Sequence, residues 1–311
     1  MKAARMHRYG GPEVVVVDEV ERPVPGLGEV LVRVVAAAVN PVDWKIREGY
    51  MTSTLPIEFP YTFGCDLAGT VEEVGEGVSH FLVGDPVFGY PNLLRCGAFA
   101  EYACLKQEEL AKSPASVSLE EAAAIPVAVM TAYDGLFTYG KLTAGQRVLI
   151  LGGAGGVGSA AVQLAKWKGA EVFATASSRN QQWLRELGAI PIDYASQATA
   201  DHAREVDLIL DCVGPETGLA ALPSIKWGGA YVTTAYALPD AAQLARYGAI
   251  PFLFGIQPSG ERLAEIAQIV DEGALRLTVE KVFSLEEAAV ALSTSQAGRT
   301  RGKLLIRPSS N

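Results

Sequence analysis

Five glycines fall within residues 152–158, in the run Gly152-Gly153-Ala154-Gly155-Gly156-Val157-Gly158. Gly153, Gly155 and Gly158 have the spacing G-x-G-x-x-G. The run follows an apolar stretch, Val148-Leu149-Ile150-Leu151, and opens an amphipathic one. That context turns a short pattern into a dinucleotide loop. The chemistry is anion binding. The first glycine, Gly153, is expected to allow a tight turn. Gly155 lets backbone N–H groups approach a pyrophosphate, and Gly158 lets helix and strand pack closely. Ala154, Gly156 and Val157 complete the cradle, with the positive end of a helix dipole directed at the phosphates.

Cofactor choice turns on the next strand. An acidic residue at its end, about 20 residues past the loop, would hold a ribose 2′-hydroxyl. Here the strand ends Thr175-Ala176-Ser177-Ser178-Arg179. Glu171 lies at the opposite end of the strand, away from the carboxyl edge where ligands bind. Ser177, Ser178 and the fork-shaped guanidinium of Arg179 match a 2′-phosphate instead. NADPH is the expected cofactor.

These residues need a scaffold. From Ser118 onward strands and helices alternate, starting with a capping box at Ser118 and Glu121. Strands are predicted at 147–152, 171–176, 190–192, 207–211, 230–234 and 251–256, and helices at 157–168 and 181–187. Such alternation builds a doubly wound parallel sheet, an α/β Rossmann fold. The first third differs. β-branched runs at Val14–Val17 and Val30–Val35, with strands at 69–75 and 83–88, read as a small irregular β-barrel. The last segment holds a helix at 260–272, a strand at 280–283, a helix at 284–292 and a strand at 303–307. Periodicity leaves open which domain it joins.

The net charge is −9 with no block of like charge, which argues against nucleic acid as a partner. No apolar stretch is long enough to span a bilayer, so no membrane partner is expected. The N-terminus lacks the apolar core of a signal peptide. Cys65, Cys96, Cys104 and Cys212 form no closely spaced metal-binding pair. They read as reduced thiols of a cytoplasmic protein.

Several segments carry a family likeness. They are Ala38–Trp44, Gly64–Val71, Gly97–Tyr102, Pro126–Tyr133, Gly153–Lys166, Asp211–Gly214 and Thr300–Leu304. In these the chain resembles the quinone oxidoreductase (zeta-crystallin-like) branch of the medium-chain dehydrogenase/reductases. The resemblance implies a GroES-like domain at residues 1–118 and 257–311, and a Rossmann domain at 119–256. It also implies a substrate cleft between the two, and homodimers. Zinc alcohol dehydrogenases of the superfamily carry Cys where this chain has Asn40. They carry Gly-His-Glu where it has Gly64-Cys65-Asp66. The resemblance therefore implies an enzyme without metal.

Hydride transfer without a Lewis acid favours acceptors that are already electrophilic, such as quinones and α,β-unsaturated carbonyls. Similar enzymes imply that Asn40 lies near nicotinamide and substrate, where its amide donates to a carbonyl, unless it only caps the turn before Pro41. Asp43 either organises a polar network with Lys45 or Tyr50 or is a turn carboxylate. Tyr50 is a candidate proton donor or a rim residue. Thr131, ahead of a predicted helix, resembles a family threonine beside the cofactor. Tyr194 corresponds to a tyrosine near the 2′-phosphate. Cys212 and Val213 line the adenosine or ribose side. Lys303 approaches the nicotinamide or the pyrophosphate, while Arg301 reads as solvated. The competing functions are an enoyl-thioester or alkenal reductase, and an NADPH-binding sensor or crystallin-like protein.

Overall fold

The computed structural model describes residues 1–309. Contacts within the chain gather into two compact units. The first holds Met1–Val127, Gln257–Gly273 and the described residues from Leu277 onward. The second holds Ala128–Ile256 and Ala274–Arg276.

The spine of the first unit is the 11-residue strand Glu29–Val39. Its run of Val, Leu and Ala is buried on both faces, so the alternation of a half-exposed strand is lost. It pairs antiparallel with Leu67–Val74, with Tyr102–Lys106 and with Lys303–Arg307. Pro86–Gly89 and Leu110–Lys112 extend the sheet on one side, and Val279–Ser284 on the other. The C-terminal strand thus lies in the same sheet as residue 39, which the periodicity had left open. A smaller three-stranded sheet joins Val16–Glu19, Lys2–Met6 and Tyr61–Thr62.

Two expected strands are displaced. The Val14–Val17 run begins as a 3-10 turn, Pro12–Val14, and the strand starts only at Val16. Pro12 presets the backbone for that turn. The strand expected from Val83 starts at Pro86, because Gly84 adopts φ +93° and holds the chain in a turn. The helix expected at 284–292 begins as a 3-10 turn, Leu285–Glu287, and continues as Ala288–Gln296.

In the second unit six strands form one parallel sheet. Across it the order is Ile190–Asp193, Glu171–Ala176, Arg147–Leu151, Val206–Asp211, Ile225–Thr233 and Ile250–Leu253. Chain order reverses between Arg147–Leu151 and Val206–Asp211, the doubly wound Rossmann topology. Leu149, Leu151, Phe173, Ile209 and Tyr231 are among the buried residues of its core. Glu171 stands at the first position of its strand and pairs with Arg147 at 2.7 Å, at the amino edge of the sheet.

Candidate active site

In the second unit the glycine loop leaves the sheet at the reversal point. Gly152 makes the tight turn, with φ +77°; Gly153 has no positive φ. The turn expected of Gly153 therefore belongs to its neighbour. Gly153 is bare for another reason: a Cβ there would lie 2.8 Å from the Cβ of Ala174. The loop is anchored on the next strand by one residue that the spacing did not single out. Thr175 accepts the Gly152 N–H at 3.1 Å through its Oγ1 and the Gly153 N–H at 2.8 Å through its carbonyl.

The helix Gly156–Trp167 begins one residue before Val157. Its N-cap, Gly155, offers no side-chain cap. The first N–H groups are therefore left for another acceptor. A Cβ on Gly158 would sit 2.1 Å from the Gly152 carbonyl oxygen, so close helix packing demands glycine there. A Cβ on Gly155 would meet nothing closer than the Gly152 oxygen at 3.6 Å. Packing within the protein leaves room at Gly155. This bare cradle of N–H groups fits a dinucleotide pyrophosphate.

Beyond Ala176, Ser177 precedes a 3-10 turn, Ser178–Asn180, on which Ser178 and Arg179 are exposed. The Ser178 hydroxyl donates to Asp193 Oδ2 at 2.5 Å. That hydrogen bond, with one from the Ala195 N–H, holds the Asp193 carboxyl below its ordinary range. Asp193 is an acid that ends the third strand of the parallel sheet in chain order rather than the second, where the spacing rule does not point to it. Tyr194, the next residue, is exposed.

Asp211 ends its strand with no exposure. Its Oδ1 accepts the N–H groups of Val213 at 2.8 Å and Gly214 at 3.1 Å, fixing the turn that carries Cys212 and Val213. Cys212 is half-buried and Val213 exposed. Burial raises the Cys212 thiol well above its usual range. Thr131 does not precede a helix as expected: it lies inside Pro126–Tyr133 and is buried.

The first unit gathers a second polar group. Asn40 follows the long strand and is the N-cap of the helix Pro41–Arg47. Asp43 reaches back to accept the Asn40 main-chain N–H at 2.7 Å. It is 1% exposed, so it is not a surface carboxylate. Burial, with a smaller push from the Asp66 charge, raises its carboxyl to about 7, against the pull of the Asn40 N–H, Lys303 and the Gly64 N–H.

The Asn40 side chain turns inward and is 3% exposed. Its Nδ2 donates to Asp66 Oδ2 at 2.7 Å, with Cys65 Sγ at 3.6 Å, and its Oδ1 accepts from Lys303 Nζ at 2.6 Å. Asp66, which the sequence reading left out of the site, has no exposure, and its Oδ1 accepts the Val127 N–H at 2.7 Å. Burial raises the Asp66 carboxyl, opposed chiefly by Lys303. Lys303 therefore stands within this cluster of the first unit. Cys65 is fully buried; a hydrogen bond with Cys96 and then burial push its thiol far up. Tyr50 is 67% exposed and meets Trp44 edge-on, with ring centroids 6.1 Å apart. Its hydroxyl is hydrogen-bonded to Glu48.

Known proteins show the same organisation. Residues 26–115 match the alcohol dehydrogenase GroES-like domain, and residues 187–306 the zinc-binding dehydrogenase model. The chain is 35% identical to the 2-methylene-furan-3-one reductase of Solanum lycopersicum, over 99% of this chain and 79% of that protein. It is 31% identical to the chloroplast envelope quinone oxidoreductase homolog of Arabidopsis thaliana, covering 99% of this chain and 98% of that one. Among solved structures, Escherichia coli quinone oxidoreductase complexed with NADPH superposes with TM-score 0.90 at 26% identity, over 99% of this chain and 100% of that one. The chain belongs to the medium-chain dehydrogenase/reductase family, in its quinone oxidoreductase branch, and is an oxidoreductase with an α/β Rossmann unit and a GroES-like unit.

Proposed function

We propose that this protein is an NADPH-dependent reductase of quinones or α,β-unsaturated carbonyls. The observation that carries the reading is the uncapped glycine loop at the reversal point of the parallel sheet, followed by a strand end with Ser177, Ser178 and Arg179 in place of a carboxylate. NADPH, when bound, supplies the hydride. The N–H groups of Gly156 and Val157 hold the pyrophosphate; Gly155, whose own N–H donates to the Gly152 carbonyl, leaves room for it, and Gly153, Ala154 and Gly158 shape the loop. Arg179, Ser177 and Tyr194 receive the 2′-phosphate. Ser178 acts with Asp193, to which its hydroxyl is committed. Thr131, Cys212 and Val213 complete the cofactor side.

Asn40 and Asp43 act by position. Both polar atoms of the Asn40 side chain are engaged within the protein, and Asp43 holds the start of the helix that carries Tyr50's segment. The proton that completes reduction comes from solvent, with exposed Tyr50 at the rim. An acceptor activated by its own conjugation suits such a site. The tomato relative is named for an exocyclic enone and the Arabidopsis relative for quinones, which supports this substrate class.

A homodimer also fits. The edge strand Ile250–Leu253 leaves Ile250 and Leu253 exposed, and a second copy pairing with that edge would cover them. Light scattering checks the mass. Four cysteines without a disulfide among them suit a reducing compartment such as the cytoplasm.

The testing experiment follows NADPH and NADH oxidation with quinones, enones, alkenals and enoyl thioesters. Quinone or enone turnover with NADPH is expected, and Arg179→Ala should raise KM for NADPH about tenfold while leaving NADH unchanged. Turnover confined to NADH overturns the cofactor assignment. Turnover confined to enoyl thioesters overturns the substrate class.

A further inference from the structure

The family description names zinc, and three candidate donor atoms meet in the first unit: Asn40 Oδ1, Cys65 Sγ and Asp66 Oδ2. What cation they take is decided by a residue far along the chain. Lys303 opens the C-terminal strand, and its side chain is 4% exposed. Its Nζ lies 2.6 Å from Asn40 Oδ1, 3.3 Å from Asp66 Oδ2 and 3.3 Å from the Val39 carbonyl oxygen. An ammonium has three donors, and these are three acceptors. A buried charge persists only when it is paired and hydrogen-bonded, and here it is both.

The same contacts orient Asn40 in one way only. Its oxygen faces the ammonium and its nitrogen faces the Asp66 carboxylate. A flipped amide would put N–H groups against the ammonium and an oxygen against the carboxylate. Lys303, Asn40 and Asp66 thus form a closed triangle of hydrogen bonds, with Val127 N–H on the remaining Asp66 oxygen.

We infer that Lys303 is the resident cation of this cluster, and that its ammonium holds the place a divalent metal would need. Zinc bound to Asn40 Oδ1 and Asp66 Oδ2 would have to displace Nζ from both oxygens and then sit beside it. With the ammonium in place, one amide oxygen, one carboxylate oxygen and one thiol cannot close around a tetrahedral zinc. The residues present therefore do not fit the metal that the family description carries. The ammonium itself neutralises Asp66.

Cobalt(II) titration of the full-length protein tests the inference, read by near-ultraviolet thiolate-to-cobalt absorption. The wild type is expected to show no such band. Lys303→Ala should take up about one cobalt per chain, and adding Cys65→Ser should abolish the band. A stoichiometric band in the wild type that Cys65→Ser removes overturns the inference, and so does a folded Lys303→Ala chain that binds no cobalt. Should Lys303→Ala fail to fold, urea unfolding of Lys303→Met, Asp66→Asn and their double variant decides. A double variant with a midpoint above Lys303→Met supports the paired charge. A double variant whose loss equals the sum of the two single losses overturns it.

Discussion

The phenol of Tyr231 donates to Asp211 Oδ2 at 2.6 Å, and neither residue has any solvent exposure. The bond joins neighbouring strands of the parallel sheet at the edge where the turn to Gly214 begins. The other carboxylate oxygen holds the N–H groups of Val213 and Gly214. Removing the phenol oxygen leaves a buried acceptor without its donor. Tyr231→Phe is expected to lower unfolding free energy by about 1–3 kcal/mol. Urea denaturation followed by tryptophan fluorescence measures it, and an unchanged midpoint would count against the pairing.

Gly155 and Gly158 are both glycine in the loop for different reasons, and substitution separates them. Gly158→Val must push against the Gly152 carbonyl, so both stability and cofactor binding should fall. Gly155→Ala finds room for its Cβ within the protein. It should keep the wild-type melting temperature while KM for NADPH rises by about tenfold or more. Equal thermal losses in the two variants would contradict this division.

Asp43 gives a pH signature. Its carboxyl is raised from 3.8 to about 7 in the folded chain, mainly by burial. Between those values the folded state keeps a proton that the unfolded state has released. Its contribution to stability is therefore fully present below about pH 4 and is lost as pH rises toward 7. Asp43→Asn retains an acceptor for the Asn40 N–H and cannot ionise. Its unfolding free energy should vary less steeply with pH across that window. Asp66 is raised in the same direction and its charge pushes on Asp43, so the difference between the two slopes reads Asp43 together with that coupling.

Tyr50 sits exposed against Trp44, in a place suited to a rim. Tyr50→Phe is expected to keep kcat with enones within about threefold of wild type. A loss of about a hundredfold in kcat with unchanged KM would instead make the phenol a general acid.

The parallel sheet was readable because each strand and helix carries its own apolar period. The strands 171–176 and 303–307 match their expected bounds, since local pattern and tertiary pairing agree there. The Val14–Val17 run misled because Pro12 imposed a turn on its first half. The glycine loop was recognisable as a binding element, yet spacing assigned the turn to Gly153 when the backbone puts it at Gly152. Thr175 and Asp211 carry a faint signal, a polar residue closing an apolar strand. The pairing of Asn40 with Lys303 spans 263 positions and depends on the register of two strands against each other. No local pattern encodes that register, so the sequence directs Lys303 to the nicotinamide or the pyrophosphate and gives no sign of the buried counter-charge.

The C-terminal strand lies between Val279–Ser284 and Glu29–Val39 in the sheet of the first unit. During synthesis the ribosome releases residues 1–127 long before Lys303–Arg307. Residues 128–256, contiguous in the chain, hold every strand of the parallel sheet and can complete it on emergence. The first unit, whose earliest strands emerge before the parallel sheet, is thus completed after it. Until residues 303–307 emerge, Asp66 and the inner edge of the long strand wait for partners, and a nascent chain stalled before residue 303 would carry an open sheet edge that invites association.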